Sequence, residues 1–586
     1  MLSTMFPLHD PLDEIVREEL REYDDLTAAL LARRGVVTKE EADTFLNPSY
    51  DLHLHDPLLM CDMSLAAKRL GMAIRSGERI AIWSDYDCDG IPGAVLMHDF
   101  LKKTGVNFEN YIPHRHDEGY GMNVSGIETL AKSGTKLIVT VDSGITDVEP
   151  IARANELGME VIVTDHHLPG ETLPDAFAIL NPNVRPDETY PFTQLCGSGV
   201  AWKLVCATLA VAPELREKVP GGWEKWLLDM VGLATVADMV PLVGENRLLA
   251  TYGLLVMRKS PRIGLQKLLR GMRVEQRKIT EDDIGFMIAP RVNAASRMGE
   301  ARDAFELFTT NDESEADTLA KKLEALNRQR KAAAGAITRA VHTRLSARSG
   351  SASGGKDALP PVIAMGDPEW RPALLGLVAN TIADEYERPV FLWGREGNMS
   401  LKGSFRSGGF TQTMELMRAT ENLFEQFGGH TAAGGFTVRD TEVFFLEDRL
   451  NTAYDTLTPV EQGDPLANHA DAVITPEEIS LSFLQNVEKL APFGQQNPKP
   501  VFLLREILVR EVSRFGKAQE HLKLKIDVND GNESIDVITF FVKGAIARTA
   551  DALVRGSRAH LLAHLERDSF SRGNPVRLRL LDIRVV

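Results

Sequence analysis

Three short apolar runs in the first half of the chain each end in acid or imidazole. Ile80-Ala81-Ile82-Trp83 runs into SDYDCDG (84–90), Leu137-Ile138-Val139-Thr140-Val141 into Asp142-Ser143-Gly144, and Val161-Ile162-Val163-Thr164 into Asp165-His166-His167. Amphipathic helical patterns separate these runs, which predicts an α/β domain over 61–310 with a parallel sheet whose carboxyl edge gathers the polar ends. Ahead of it, residues 1–60 carry helical patterns such as LDEIVREELREYDDLTAALLARRG. Behind it, 311–345 is Ala-rich, contains no proline and opens on capping residues, so one connecting helix of about 50 Å is expected. A Ser/Gly-rich stretch predicts a flexible linker over 346–359, and a second, smaller α/β pattern fills 360–458. From 470 to 586 strand patterns dominate (HLKLKIDV, ESIDVITFFV, PVRLRLLDIRVV), as in a small all-β barrel.

Composition narrows the class. With 44% hydrophobic and 25% charged residues over 586 positions, the chain is globular and multidomain, which excludes disorder and collagen. No apolar stretch approaches a membrane span, and the N-terminus is acidic where a signal peptide is basic, so a cytoplasmic protein without a membrane partner is expected. Four scattered cysteines make neither a disulfide framework nor a zinc knuckle. The formal charge of -17 argues against nonspecific coating of duplex DNA. Charge is unevenly spread, however: 499–586 carries +5 and the remainder -22. A basic barrel of this size suits single-strand binding, beside an acidic body that gathers cations.

If DYDCDG is extended, its alternation points Asp85, Asp87 and Asp89 the same way, and Gly90 lets the chain turn into a helix with Pro92 in its first turn. Carboxylates brought this close, with Asp142, Asp165, His166 and His167 at neighbouring strand ends, repel one another unless a cation intervenes. Oxygen and imidazole donors without thiolate favour Mn2+ or Mg2+.

DYDCDG, VDSG and DHH in this order resemble the signatures of the DHH phosphoesterase superfamily. Further segments extend the resemblance to the RecJ single-strand exonucleases: IPHRHDEGYGMN (112–123), LATVADMVPL (233–242), APRVNAASRMG (289–299), GSFRS (403–407), GGHTAAGG (428–435) and LAPFGQQNPKPVF (490–502). It covers about 60–586 and implies a DHH domain joined by the long helix to a DHHA1 domain, followed by an OB-fold. It also implies two metal ions, with Asp87 on one, Asp89 on the other, Asp142 between them, and His166 and Asp238 completing the second. Asp85 would supplement the first ion, and His167 would lie beside the scissile phosphate. Arg115, Tyr120, Asn293, Arg297, Ser404, Arg406, Gly429 and His430 would contact DNA or its phosphates.

The activity so implied is 5′ to 3′ hydrolysis of single-stranded DNA to 5′-mononucleotides in recombination and repair, by a monomer whose further partners would be a RecQ-type helicase and a single-strand-binding protein. The alternatives are a DHH phosphodiesterase for short oligoribonucleotides or cyclic dinucleotides, and a non-catalytic replication scaffold. Two positions depart from the family pattern: Ser296 stands where Gly is usual in the Asn-Ala-Ala-x-Arg block, and Ile91-Pro92-Gly93 replaces a hydroxyl-capped helix start. A positive φ at the first would misdirect Arg297.

Overall fold

The strand β1 (Ile80–Ser84) is buried along its whole length, as a strand covered by helices on both faces must be. A computed structural model describes residues 6–185, 190–348, 359–397, 400–410, 412–429, 432–457, 469–516, 519–528, 533–542, 544–568 and 575–586. In it β1 joins β2 (Phe108–Tyr111), β3 (Leu137–Val141), β4 (Glu160–Thr164) and β5 (Ala178–Leu180) in a parallel sheet of order β2-β1-β3-β4-β5. The chain leaves β1 toward β2 on one side and later returns to β3 on the other. That reversal opens a crevice at the carboxyl ends of β1 and β3, where α/β sheets place their ligands. Helices Met63–Ser76, Gly90–Thr104 and Gly197–Val211 pack on one face of this sheet, and Val124–Lys132 and Val148–Glu156 on the other.

One helix, Glu313–Arg348, contributes to two cores. At ~1.5 Å per residue its 36 residues span about 54 Å. Ala316, Leu319, Ala320 and Leu323 pack into the first domain, whereas Ile337, Val341 and Leu345 pack into the second. The second domain is built on β6 (Ile363–Gly366), β7 (Val390–Gly394), β8 (Leu401–Arg406), β9 (Phe424–Gly429) and β10 (Ala433–Val438), in the order β6-β7-β8-β10-β9, with only β6 and β7 parallel. Along β8 the strand period turns Leu401, Gly403 and Phe405 inward and leaves Lys402, Ser404 and Arg406 on the other face. Most of the Ser/Gly joint expected over 346–359 lies outside the described residues.

The C-terminal strands are β11 (Ala472–Val473), β12 (Phe502–Phe515), β13 (His521–Val528), β14 (Glu533–Thr539), β15 (Arg558–Arg567) and β16 (Val576–Val585). Long β12 pairs with both β13 and β15, which closes the barrel. The N-terminal helices serve as a wedge between this barrel and the first domain. Arg33 pairs with Asp471 at 3.0 Å, and Arg34 Nε donates to Asn497 Oδ1 at 2.6 Å. Buried Arg247, on helix Gly244–Met257, ties all three parts together by donating to the carbonyls of Phe45 (2.7 Å), Leu490 (2.8 Å) and Ala491 (3.0 Å). Burial, with the Arg34 guanidinium nearby, pushes this guanidinium down to about 9 against the opposing pull of Glu281, and the group lies 3.7 Å from the centroid of the Phe45 ring.

Arg247→Met removes the charged donor from each of these carbonyls and is expected to cost about 3 kcal/mol, within the range for loss of a buried charged hydrogen-bond hub. Urea unfolding followed by tryptophan fluorescence should show a lower midpoint; an unchanged midpoint would contradict the hub.

Candidate metal centre and cleft

The segment after β1 is a turn, and this corrects the extended alternation expected from DYDCDG. The carboxylates converge because the chain wraps back on itself. A Cβ at Gly90 would come 2.4 Å from the Asp85 carbonyl oxygen, so only glycine allows the wrap. Asp87 Oδ1 accepts the N–H groups of Asp89 (2.8 Å) and Gly90 (3.2 Å). Asp89 turns to a different helix: its two oxygens accept from Gly197 N (2.6 Å) and Ser198 N (2.8 Å), at the positive end of Gly197–Val211. Gly197 is required here as well, since a Cβ would sit 2.6 Å from the Asp142 Cβ. Asp142 itself holds φ 59, a left-handed conformation rare for a non-glycine residue and concentrated at functional sites.

The two histidines are fixed from behind. Asn183 and Asn181 donate to the carbonyls of His166 (2.6 Å) and His167 (2.9 Å). Asp165, fully buried, accepts from the backbone of Ile145, His166 and His167 and from His167 Nδ1 at 2.7 Å. Asp165 therefore orients His167. With Nδ1 so committed, Nε2 is the ring nitrogen left for a ligand.

Three groups of potential ligand atoms result, each lying within 4.8 Å of one another: Asp85 with Asp87 and Asp142, Asp89 with His166 and Asp238, and Asp142 with His166 and His167. His166 Nε2 lies 3.3 Å from Asp142, 3.6 Å from Asp238 and 3.7 Å from Asp89. Buried Asp85 Oδ1 and Asp142 Oδ1 have no hydrogen-bond partner among the described residues. Burial and neighbouring carboxylates push the Asp85 and Asp142 carboxyls well above the usual range and raise Asp238, at a helix C-terminus, to about 9. Burial lowers His166, whereas the Asp165 hydrogen bond overcomes burial and lifts His167 to about 9. The nearby thiols of Cys88 and Cys196 are driven up by burial and stay neutral. Oxygens without donors, crowded acids and oxygen/imidazole chemistry all fit a pair of hard divalent cations.

Beside this cluster a cleft of about 470 Å³ separates the two α/β domains. Tyr86, Arg115 and Tyr120 line one wall, and Lys402, Gln426, Gly428, Gly435 and Thr437 the other. Across β8, β10 and β9, Ser404 is in register with Gly435, which pairs with Gly428. A side-chain-poor trench therefore runs beside Ser404. Arg115 lies 4.7 Å from the Tyr86 ring. Arg406 sits on the same face of β8 as Ser404, its Nη1 donating to the Phe405 carbonyl at 2.7 Å. Gly429 holds φ 145 at the end of β9, and His430 lies outside the described residues.

Three residues proposed from sequence as phosphate contacts also have structural work. Asn293 Oδ1 accepts from Cys88 N at 3.0 Å and so braces the acidic turn. Arg297 Nη1 donates to the Ala373 carbonyl at 2.5 Å, linking the two domains. The Tyr120 hydroxyl donates to the Asp142 carbonyl at 3.2 Å and lies 3.2 Å from His167 Nδ1. Ser296 is helical, with no positive φ, so Arg297 keeps its aim without glycine. The helix Gly90–Thr104 starts without a side-chain cap, yet Ser198 Oγ donates to the Asp89 carbonyl at 2.6 Å. Sequence reasoning missed Gly197, Ser198, Asn181 and Asn183. The segments CGSG and NPN, each placed just before or after a structural element, were the available signals.

Two outcomes follow from the electrostatics. Cations must displace protons from Asp85, Asp142 and Asp238, so Mn2+ titrated at pH 7 into chelator-stripped protein should release protons. Calorimetry in buffers of different ionisation enthalpy measures this, and heats independent of buffer would contradict it. In the same stripped protein, Asp165→Asn should move the His167 titration from about 9 toward the ~6.5 of an ordinary imidazole. An NMR titration of the ring that stays near its original value would contradict the Asp165 assignment.

Comparison with known proteins agrees with this architecture. The DHH family N-terminal domain matches residues 79–235, the DHHA1 domain 359–458, and the RecJ OB domain 470–582. The single-stranded-DNA-specific exonuclease RecJ of Bacillus subtilis is 34% identical, over 96% of this chain and 68% of its own length. That of Escherichia coli is 32% identical, over 91% of this chain and 93% of its own. The crystal structure of Thermus thermophilus RecJ in complex with Mn2+ superposes with a TM-score of 0.78 at 27% identity, covering 99% of this chain and 78% of that one. Its Mg2+ complex gives 0.72 at 26% identity, covering 99% and 77%. The chain belongs to the RecJ family of single-stranded-DNA-specific exonucleases.

Proposed function

We propose that this chain is a metal-dependent exonuclease that hydrolyses single-stranded DNA from its 5′ end to 5′-mononucleotides, in recombination and repair. The observation that carries this reading is the convergence of buried Asp85, Asp89 and Asp142 with half-buried Asp87, His166 and Asp238 beside a cleft, within a chain that matches RecJ over 91% of its length. Asp85, Asp87 and Asp142 would hold one cation, and Asp89, His166 and Asp238 the other, with Asp142 shared. When bound, two divalent ions activate a water for attack and offset charge on the phosphate.

The remaining work belongs to the protein. His167, kept cationic by Asp165, presents Nε2 toward the scissile phosphate and holds a proton there. Arg115, Arg297, Ser404, Arg406, Gly429 and His430 hold strand phosphates, with Arg297 and Asn293 also bracing the site, and Tyr120 walls the cleft beside His167. The barrel over 470–586 tracks the strand backbone. The DHH domain is assigned 61–310 and the DHHA1 domain 360–458. The resemblance includes the barrel, which supports long strands over short oligoribonucleotides as substrate. The complete ligand set supports catalysis over a scaffold role. No helix among the described residues is long and apolar enough to cross a membrane. A cytoplasmic monomer that works with a RecQ-type helicase and a single-strand-binding protein completes the reading.

Single strands labelled at the 5′ or the 3′ end, digested with Mn2+, Mg2+ or chelator, test polarity, product and metal together. Labelled mononucleotide should appear at once from the 5′-labelled strand and only with metal; early release from the 3′ label would contradict the polarity. Asp142→Ala should lower kcat by about 10³-fold or more, equivalent to several kcal/mol of lost charge stabilisation. Strand affinity measured in chelator should remain, and turnover equal to wild type would contradict the shared-ligand role.

A further inference from the structure

Asp238 differs from its partners in how it is held. Asp87 and Asp89 are each fixed by two backbone N–H donors, whereas no hydrogen bond to the Asp238 carboxylate is formed among the described residues. It caps the C-terminal end of helix Leu228–Ala237, and the next residue, Met239, takes φ 60 as the chain reverses. The place of this carboxylate is therefore set by the backbone of 238–242.

That short loop is pinned at its far end by the segment leading into the barrel. Leu242 N donates to the Gln495 carbonyl at 2.8 Å. Gly494 lies flat against the Leu242 side chain, so close that a Cβ there would come 2.7 Å from Leu242 Cδ1 and 3.1 Å from Cγ. The contacting turn is itself rigid. Gly494 and Asn497 exchange two backbone hydrogen bonds, of 2.9 and 3.1 Å. Asn497, completely buried, donates to the carbonyls of Leu490 (2.8 Å) and Pro492 (2.7 Å) and accepts from Arg34. Phe493 N donates to Glu281 Oε1 at 3.1 Å, and Arg247 holds the carbonyls of Leu490 and Ala491. On the other side of the loop, Asn246 Nδ2 donates to the Pro241 carbonyl at 3.1 Å.

We infer that the turn Gly494–Asn497, which leads into the C-terminal barrel, is a positioning element for the second cation: by clamping Leu242 it holds Asp238 within reach of Asp89 and His166. The barrel's lead-in thus completes the metal centre as well as carrying the barrel. This inference rests on the reading of Asp238 as a metal ligand. Partners that orient a ligand in this way typically govern metal affinity by ~10- to 100-fold.

The test is calorimetric titration of Mn2+ into the chelator-stripped full chain. Gly494→Ala adds only the Cβ that presses on Leu242, at a φ that alanine tolerates. It should weaken one of the two ions by about tenfold or more and leave the other within about twofold. Affinity for a labelled single strand in chelator should be unchanged. Adding Leu242→Val to the same chain makes room for the new methyl group and should restore the weakened ion. Asp238→Asn is the reference and should lose the same ion. If Asp238→Asn loses an ion while Gly494→Ala titrates like wild type, or weakens both ions alike, the positioning role is wrong. If Asp238→Asn itself binds both ions as wild type does, the ligand reading fails and the inference falls with it.

Discussion

Buried carboxylates without counter-charge cannot all ionise, and the first domain is organised around that constraint. Asp85, Asp89 and Asp142 are each at most 5% exposed; Asp85 groups with Asp87 and Asp142, and Asp89 with His166 and Asp238. Desolvation and mutual repulsion would protonate several of them, so the arrangement is electrostatically sensible only with cations at its centre. Other features at the sheet edge serve it. The helix Gly197–Val211 aims its positive end at Asp89, Gly197 clears space for Asp142, and Asp142 tolerates a left-handed backbone. Local strain and crowding are concentrated where ligand binding can offset them.

The rest of the molecule brings a strand to that edge. The helix Glu313–Arg348 belongs to both α/β cores, which fixes the separation of the two cleft walls along one rigid element. The second sheet presents a trench beside Ser404, where glycines in register on β9 and β10 leave room for a backbone to lie. The N-terminal helices and Arg247 fasten the barrel to the first domain, so barrel and metal centre form one continuous body. Residues 1–60 read from the sequence only as helical patterns, and their packing decides where the barrel sits.

Much of this was legible in the sequence because strand period and chain order are strong signals. Apolar runs ending in DYDCDG, VDSG and DHH placed β1, β3 and β4 side by side with their polar ends together. Asp238 was reached only through resemblance, since a single acid after an apolar helix carries no pattern of its own. The extended reading of DYDCDG failed because close backbone approach at Gly90, rather than side-chain alternation, brings those acids together. Asn293 and Arg297 proved to brace the turn and the domain junction, contacts between residues far apart in the chain that no local window contains. The support given by Ser198, Asn181 and Asn183 escaped notice for the same reason.

The central claim is that these acids and imidazoles surround two cations. Anomalous diffraction from crystals grown with Mn2+ tests it most directly. Two peaks about 3.5–4 Å apart are expected, one against Asp85, Asp87 and Asp142 and the other against Asp89, His166 and Asp238. A single peak, or manganese bound away from these side chains, would contradict it.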